Sequence, residues 1–207
     1  SNSARDQGGA IHVNGGTLSV MQSTIHGNSV SSFGGGVFAA AATVVVSQST
    51  FTDNSSDNFG GAFTDSGCDT TFEQSTVVGN RAGFVGGGIH NGSSGFLTLK
   101  NTIVVGNTGG ETFQLHDLVT NTVTNLTAVS NLIGSPKIDD NNVLGILIHG
   151  VNGNILGADD GSGGRTILDA STIVSTVLTD LGGPTKVLPL LPGSLAIDVG
   201  SLSAMPS

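Results

Sequence analysis

Apolar and polar residues recur through the first half of the chain with a period of 26. The strings LSVMQSTIHGN at 18–28, VVVSQSTFTDN at 44–54, TTFEQSTVVGN at 70–80 and LTLKNTIVVGN at 97–107 align column by column, the last after 27 residues. Within each string one face carries Leu18 and Val20, Val44 and Val46, Thr70 and Phe72, or Leu97 and Leu99. The other face carries Ser19, Val45, Thr71 and Thr98. Alternation of period two marks a half-buried strand. The extra residue of the fourth block falls between Ile89 and Leu97, in HNGSSGF, where a turn absorbs it.

An internal period decides the architecture before any single residue does. The repeats are rich in Val, Ile, Thr, Gly and Asn and poor in helix formers. Their length suits about three short strands joined by bends, and is too short for a propeller blade. The expected fold is an all-β, right-handed, single-stranded parallel β-helix with about 26 residues per coil and a less regular C-terminal cap.

Equivalent residues of successive coils then stack about 4.8 Å apart. Ile25, Phe51, Val77 and Val104 form one inward ladder, and Ile11, Val37, Phe63 and Ile89 another. Asn28, Asn54, Asn80 and Asn107 form an asparagine ladder at a bend, where side-chain amides can bond each other and the turn backbone. The glycine pairs beginning at Gly8, Gly34, Gly60 and Gly86 allow positive φ at the opposite corner. Both ladders are read as structural.

The regular coils extend over 1–110, and Asn2-Ser3 aligns with Asn28-Ser29, so the first residues read as the end of a preceding turn. Beyond Asn107 the period loosens. Residues 111–180 read as an irregular continuation, with related phrases at Asn131–Gly134, Asn142–Gly145 and Asn154–Gly157 spaced by 11 and 12. Residues 181–207, with prolines that end regular pairing, read as a cap that wraps the last coil within one structural domain.

Composition narrows the functional classes. A net charge of −9 with six Lys and Arg leaves no basic stripe for nucleic acid or anionic membranes. No apolar run is long enough to span a bilayer. Cys68 is the single cysteine, so no internal disulfide forms, and it reads as a small, partly buried thiol. Acidic residues gather at Asp53, Asp57, Asp65, Asp69 and Glu73, but the columns bring no base to them and they read as a solvated face. Lys100 stacks on Glu73 as an ion pair worth no more than about 1 kcal/mol. His12 and His90 share an outward column with Phe38 and Thr64, and with His26, His116 and His149 are expected at exposed polar positions.

The phrases Gly8-Gly-Ala-Ile11 and Phe51-Thr-Asp-Asn54 resemble the GGA-I and F-x-x-N repeats of parallel β-helix proteins of bacterial surfaces, including polymorphic outer membrane proteins. Asn101–Asn107, Asn131–Gly134, Gly182–Thr185 and Leu191–Asp198 are similar to the closing part of secreted bacterial proteins with a choice-of-anchor domain. The resemblance implies an extracellular or bacterial cell-surface location. The resulting expectation is a non-catalytic structural protein, adhesive or filament-forming through end-to-end or lateral solenoid contacts. Its candidate partners are further copies, extracellular glycans and other cell-surface proteins.

Two alternatives remain. Polysaccharide lyases and glycoside hydrolases share the fold, yet no pair of carboxyl groups roughly 6.5 to 9.5 Å apart can be assigned from spacing. A glycan-binding surface module is the other, although the chain has no Trp or Tyr and only 4% aromatic residues for stacking on sugars. No catalytic residue or cofactor is assigned. Asp159, Asp160 and Ser162, or Asp139 and Asp140 with Asn141 and Asn142, offer oxygen ligands of the kind that hold Ca²⁺, and turn formation accounts for them equally well.

Overall fold

A computed structural model describes residues 1–92, 95–110, 114–115, 117–120, 125–135, 147–198 and 200. The chain winds into a β-solenoid whose coils are joined by parallel pairing of each strand with its equivalent in the next coil. Sheet 1 contains Ile11–Asn14, Val37–Ala40, Phe63–Ser66, Ile89–Asn91 and Leu118–Thr120. Sheet 2 contains Thr17–Met21, Thr43–Ser47, Asp69–Glu73, Phe96–Lys100 and Leu126–Val129. Sheet 3 runs from Thr24–His26 through Thr50–Thr52, Thr76–Val78, Ile103–Val105 and Leu132–Ile133 to Ile155–Leu156.

Three strands per coil are expected from the repeat length, and four form. The two residues after each corner asparagine also pair, giving sheet 4 from Ser3–Ala4, Ser29–Val30, Ser55–Ser56, Arg81–Ala82 and Thr108–Gly109, with Gln114–Leu115 added antiparallel. Gln7, Phe33, Phe59 and Val85 follow as a column of single parallel bridges. The glycine pair then turns the chain into sheet 1. Gly34 and Gly60 have φ of 69° and 64°. Their neighbours Gly35 and Gly61 do not, and are glycine for another reason: a Cβ there would run into the carbonyl oxygen of Gly61 or Gly87 in the next coil.

The register locates the inserted residue. Asp65 pairs with Asn91 after 26 residues and Asp69 with Phe96 after 27, so the insertion lies between these strands. The fifth coil is longer: Leu118, Leu126 and Leu132 each lie 29 residues beyond Ile89, Leu97 and Ile103. Asn131–Gly134 and Asn154–Gly157, expected as successive short units, instead stack on each other, with Leu132 paired to Ile155 and Ile133 to Leu156. The middle phrase, 142–145, lies outside the described residues.

Burial follows the alternation. Val44, Val46, Phe51, Phe63, Phe72, Val77, Ile89, Leu99 and Val104 are fully enclosed, and Phe63 meets Phe72 edge to face at 5.2 Å. Such a pair adds about 1 kcal/mol beyond its buried area. Of their first-coil equivalents Val20 is buried, while Ile11, Leu18 and Ile25 are only partly so. A second apolar cluster lies outside sheet 3, where Val78, Val105 and Leu132 meet Leu168, Ile173, Val174 and Leu188.

That outer cluster marks how the C-terminal segment packs. Expected to wrap the last coil, its described part instead runs back along the solenoid as a lateral strap. Antiparallel bridges join Val174 to Leu190 and Thr179 to Val187, and the hydroxyl of Thr24 in the first coil donates to the carbonyl of Lys186. Outward Val78 and Val105 present an apolar stripe that pairing within the sheet leaves uncovered, and the strap buries it.

Candidate functional site

The corner between the bridge column and sheet 1 builds an aromatic groove. Phe33 and Phe59 precede the positive-φ glycines of their coils, and the turn throws both rings over the outer face of sheet 1. Their rings are stacked, with centroids 5.6 Å apart and planes 3° apart. Phe59 stacks in turn on His90 at 4.9 Å, and Phe84 leans on Phe59 at 5.9 Å. Phe38, Thr64 and His90, the outward column of sheet 1, form the floor. The Thr64 hydroxyl donates to the Phe59 carbonyl at 2.9 Å, which fixes the overhanging turn. Gln7, Ser66 and Gly92 complete a groove of about 380 Å³.

Overhang changes the character of His90. It is an outward residue of its strand yet only 7% exposed, not the exposed polar position expected for it. Burial pushes its pKa down to about 4, so the imidazole is neutral at physiological pH. Its Nδ1 is buried without a hydrogen-bond partner among the described residues. His12 meets Phe38 edge to face at 5.3 Å. His26 Nδ1 lies 3.3 Å from an Asp53 carboxylate oxygen, with both side chains largely exposed. His116 lies outside the described residues.

The acidic group divides. Asp65 does not belong to a solvated face: it is fully buried and points into the solenoid, accepting from the Thr70 hydroxyl at 3.0 Å and from the Asn91 amide. Burial raises its pKa to about 6, against the lowering by these bonds. Glu73 pairs with Lys100 at 3.0 Å. Asp53, Asp57 and Asp69 are exposed on the outside. Cys68 is fully buried, accepts from the Ala42 N–H at 3.4 Å, and burial pushes its thiol pKa up.

The corner asparagines lie one above another. Asn28 donates its N–H and its side-chain amide to Oδ1 of Asn54, Asn54 does the same to Asn80, and Asn80 to Asn107. The amides of Asn54, Asn80 and Asn107 also donate to strand carbonyls of sheet 3 in the preceding coil, those of Ile25, Phe51 and Val77. The series closes on Asp117, a buried acid that the 26-residue period does not reveal. One corner earlier Ser23 donates its N–H to the Ser49 hydroxyl and Ser49 to that of Ser75, and in later coils Thr102 donates to Asn131 and Asn131 to Asn154. Ile25, Phe51, Val77 and Val104 stack inside sheet 3.

The metal-ligand candidates sit in the turn of a hairpin formed by Ala158–Asp159 and Arg165–Thr166. Asp160 Oδ1 accepts from the N–H groups of Ser162 and Gly164 and from the Ser162 hydroxyl, while Asp159 accepts from the Gly161 N–H. These bonds, the Ser162 hydroxyl first, hold the Asp160 pKa down. The loop's own donors thus occupy one oxygen of each of these carboxylates. The second candidate segment, Asp139 to Asn142, lies outside the described residues. Among the described residues no three His, Cys, Asp or Glu side chains are grouped to hold a metal ion.

The groove had a sequence signal that composition concealed. Phe33 and Phe59 are 26 apart, each directly before a glycine pair, and so share a column. The 4% aromatic content counts against sugar stacking only if it is spread evenly, and it is not. Among the described residues no helix is long and apolar enough to cross a membrane. Comparison with protein-family models, with curated proteins and with solved structures finds no match.

Proposed function

We propose that this chain is a non-catalytic, extracellular structural protein of the bacterial cell surface, in which the solenoid is a rigid spacer and the aromatic groove its adhesive contact. One observation carries the reading: Phe33, Phe59 and His90 stack along the axis on an outer face, beside a groove of about 380 Å³. The most perturbed carboxylates are spent on interior bonding: Asp65 adjoins the groove but gives its carboxylate to Thr70 and Asn91, and Asp117 is held by Asn107 and Ser135, so the two do not face each other across a cleft as an acid–base pair would. Clustered rings on a solvent-facing surface are the usual mark of a contact site.

The test is adhesion of beads coated with the protein to bacterial and host cell surfaces. Binding that falls at least tenfold in the Phe33→Ala/Phe59→Ala variant supports the reading. Binding unaffected by that double substitution overturns it, as does release of unsaturated uronides from pectin or alginate.

A further inference from the structure

The groove also constrains the chemistry of what fills it, an inference that rests on its being a contact surface. It runs from Gln7 in the first coil to His90 and Gly92 in the fourth. At the strand spacing that is about 14 Å, the reach of a short oligosaccharide. The surface is apolar on the Phe33 and Phe59 side and carries small or polar groups, Ser66 and Gly92, on the other.

Three features select among ligands. First, among the described residues no cationic side chain lines the groove, and Asp65, which adjoins it, turns its carboxylate inward to Thr70 and Asn91, so none of them neutralises a charged ligand. In a chain of net charge −9, a uronate chain is repelled. Second, the sheet 1 strands Val37–Ala40 and Phe63–Ser66 are paired on both edges. An extended peptide therefore finds no main-chain edge to join. Third, among the described residues His90 Nδ1 has no partner although the residue is more than nine-tenths buried. An orphaned buried polar atom costs about 1–3 kcal/mol, and a ligand hydroxyl that reached it would recover part of that.

We propose that the groove binds a neutral oligosaccharide, whose apolar C–H faces pack on Phe33 and Phe59 while a hydroxyl pairs with His90. Such a ligand combines apolar faces with a rim of hydroxyls and carries no charge. Gln7 and Ser66 offer further polar partners along the rim.

The experiment titrates the purified chain with gluco-, manno- and galacto-hexaoses and with hexagalacturonate, followed by calorimetry and by ¹⁵N chemical shifts, including those of the His90 ring. The expected result is saturable binding of at least one neutral hexaose with a shift at the His90 ring nitrogens. Binding should weaken at least tenfold in His90→Phe, which preserves ring stacking. Ser66→Trp should do the same by filling the groove from an exposed position without touching the core. Phe96→Ala, at an exposed phenylalanine that does not line the groove, should bind as wild type. No binding of any neutral hexaose, equal or tighter binding of hexagalacturonate, or unchanged affinity in His90→Phe and Ser66→Trp overturns the proposal. Adhesion that depends on Phe33 and Phe59 with no hexaose bound would leave the contact reading standing and remove only the ligand class.

Discussion

Asn107 donates both its main-chain N–H and its side-chain amide to the same oxygen of Asp117, at 2.8 and 2.9 Å. Every earlier rung of this series is an asparagine that accepts from one coil and donates to the next. The last is a carboxylate, whose other oxygen receives the Ser135 hydroxyl at 3.0 Å. A carboxylate only accepts, so the series ends there.

Ending a buried series on an acid makes stability depend on pH. Burial raises the Asp117 pKa to about 6 from an ordinary 3.8, despite bonds from Asn107 and Ser135 that lower it. The folded protein therefore holds a proton that the unfolded chain releases at lower pH. The associated stability is complete below about pH 4 and is lost as pH rises through 6. Asp65 acts in the same direction, and His90, which resists protonation until about pH 4, acts in the opposite one. Asp117→Asn keeps the acceptor and offers Ser135 a donor. It should stabilise the protein by on the order of 2 kcal/mol at pH 8 and little at pH 4. Urea unfolding at the two pH values checks this, and a variant less stable at pH 8 would contradict it.

Asn54 sits in the middle of the series, accepting two bonds from Asn28 and donating to Asn80 and to the Ile25 carbonyl. Asn54→Ala strands donors of Asn28 in a buried corner. The expected loss is about 3 kcal/mol, read as a lower urea midpoint with an unchanged slope.

Gly35→Ala adds one methyl where the Gly61 carbonyl of the next coil already lies. Its φ is not positive, so the cost comes from separating two coils and not from backbone strain. A fall in melting temperature of several degrees is expected, whereas Gly16→Ala, with open space around its Cβ, should lose only what its φ of 75° demands.

Leu188 anchors the strap on sheet 3 beside Val78 and Val105. Leu188→Asp should release the strap and leave the coils wound. Limited proteolysis should then cut within 174–198 at least tenfold faster, while β-type circular dichroism persists. Unchanged cleavage would mean that the strap is held by other contacts.

Much of the solenoid was legible because each strand's partner is its own equivalent one repeat away. Once the period of 26 is counted, register follows without knowledge of the turns, and with it the inward stack of Val44, Thr70 and Leu97. A side-chain period of two leaves only one face for these residues. The lateral strap was not legible, since its partners lie far away: Thr24 meets Lys186 across 162 residues with no shared pattern. Nor was the stacking of Asn131 on Asn154, because the intervening coil departs from the period.

The groove stands between these cases. The repeat placed Phe38, Thr64 and His90 in one outward column, while the matching spacing of Phe33 and Phe59 was hidden behind the low aromatic content. Whether an outward residue is wet depends on what the adjoining corner hangs over it, and that is fixed by turn geometry. The positive φ of Gly34 and Gly60 folds the phenylalanines across, which buries His90 and neutralises it. Likewise Asp65 reads as one more surface acid until the pleat turns it inward to Thr70 and Asn91. The sequence by itself determined which residues stack, because strand pairing between repeats is periodic. The tertiary structure decided which of them meet water, because burial depends on neighbours that no period connects.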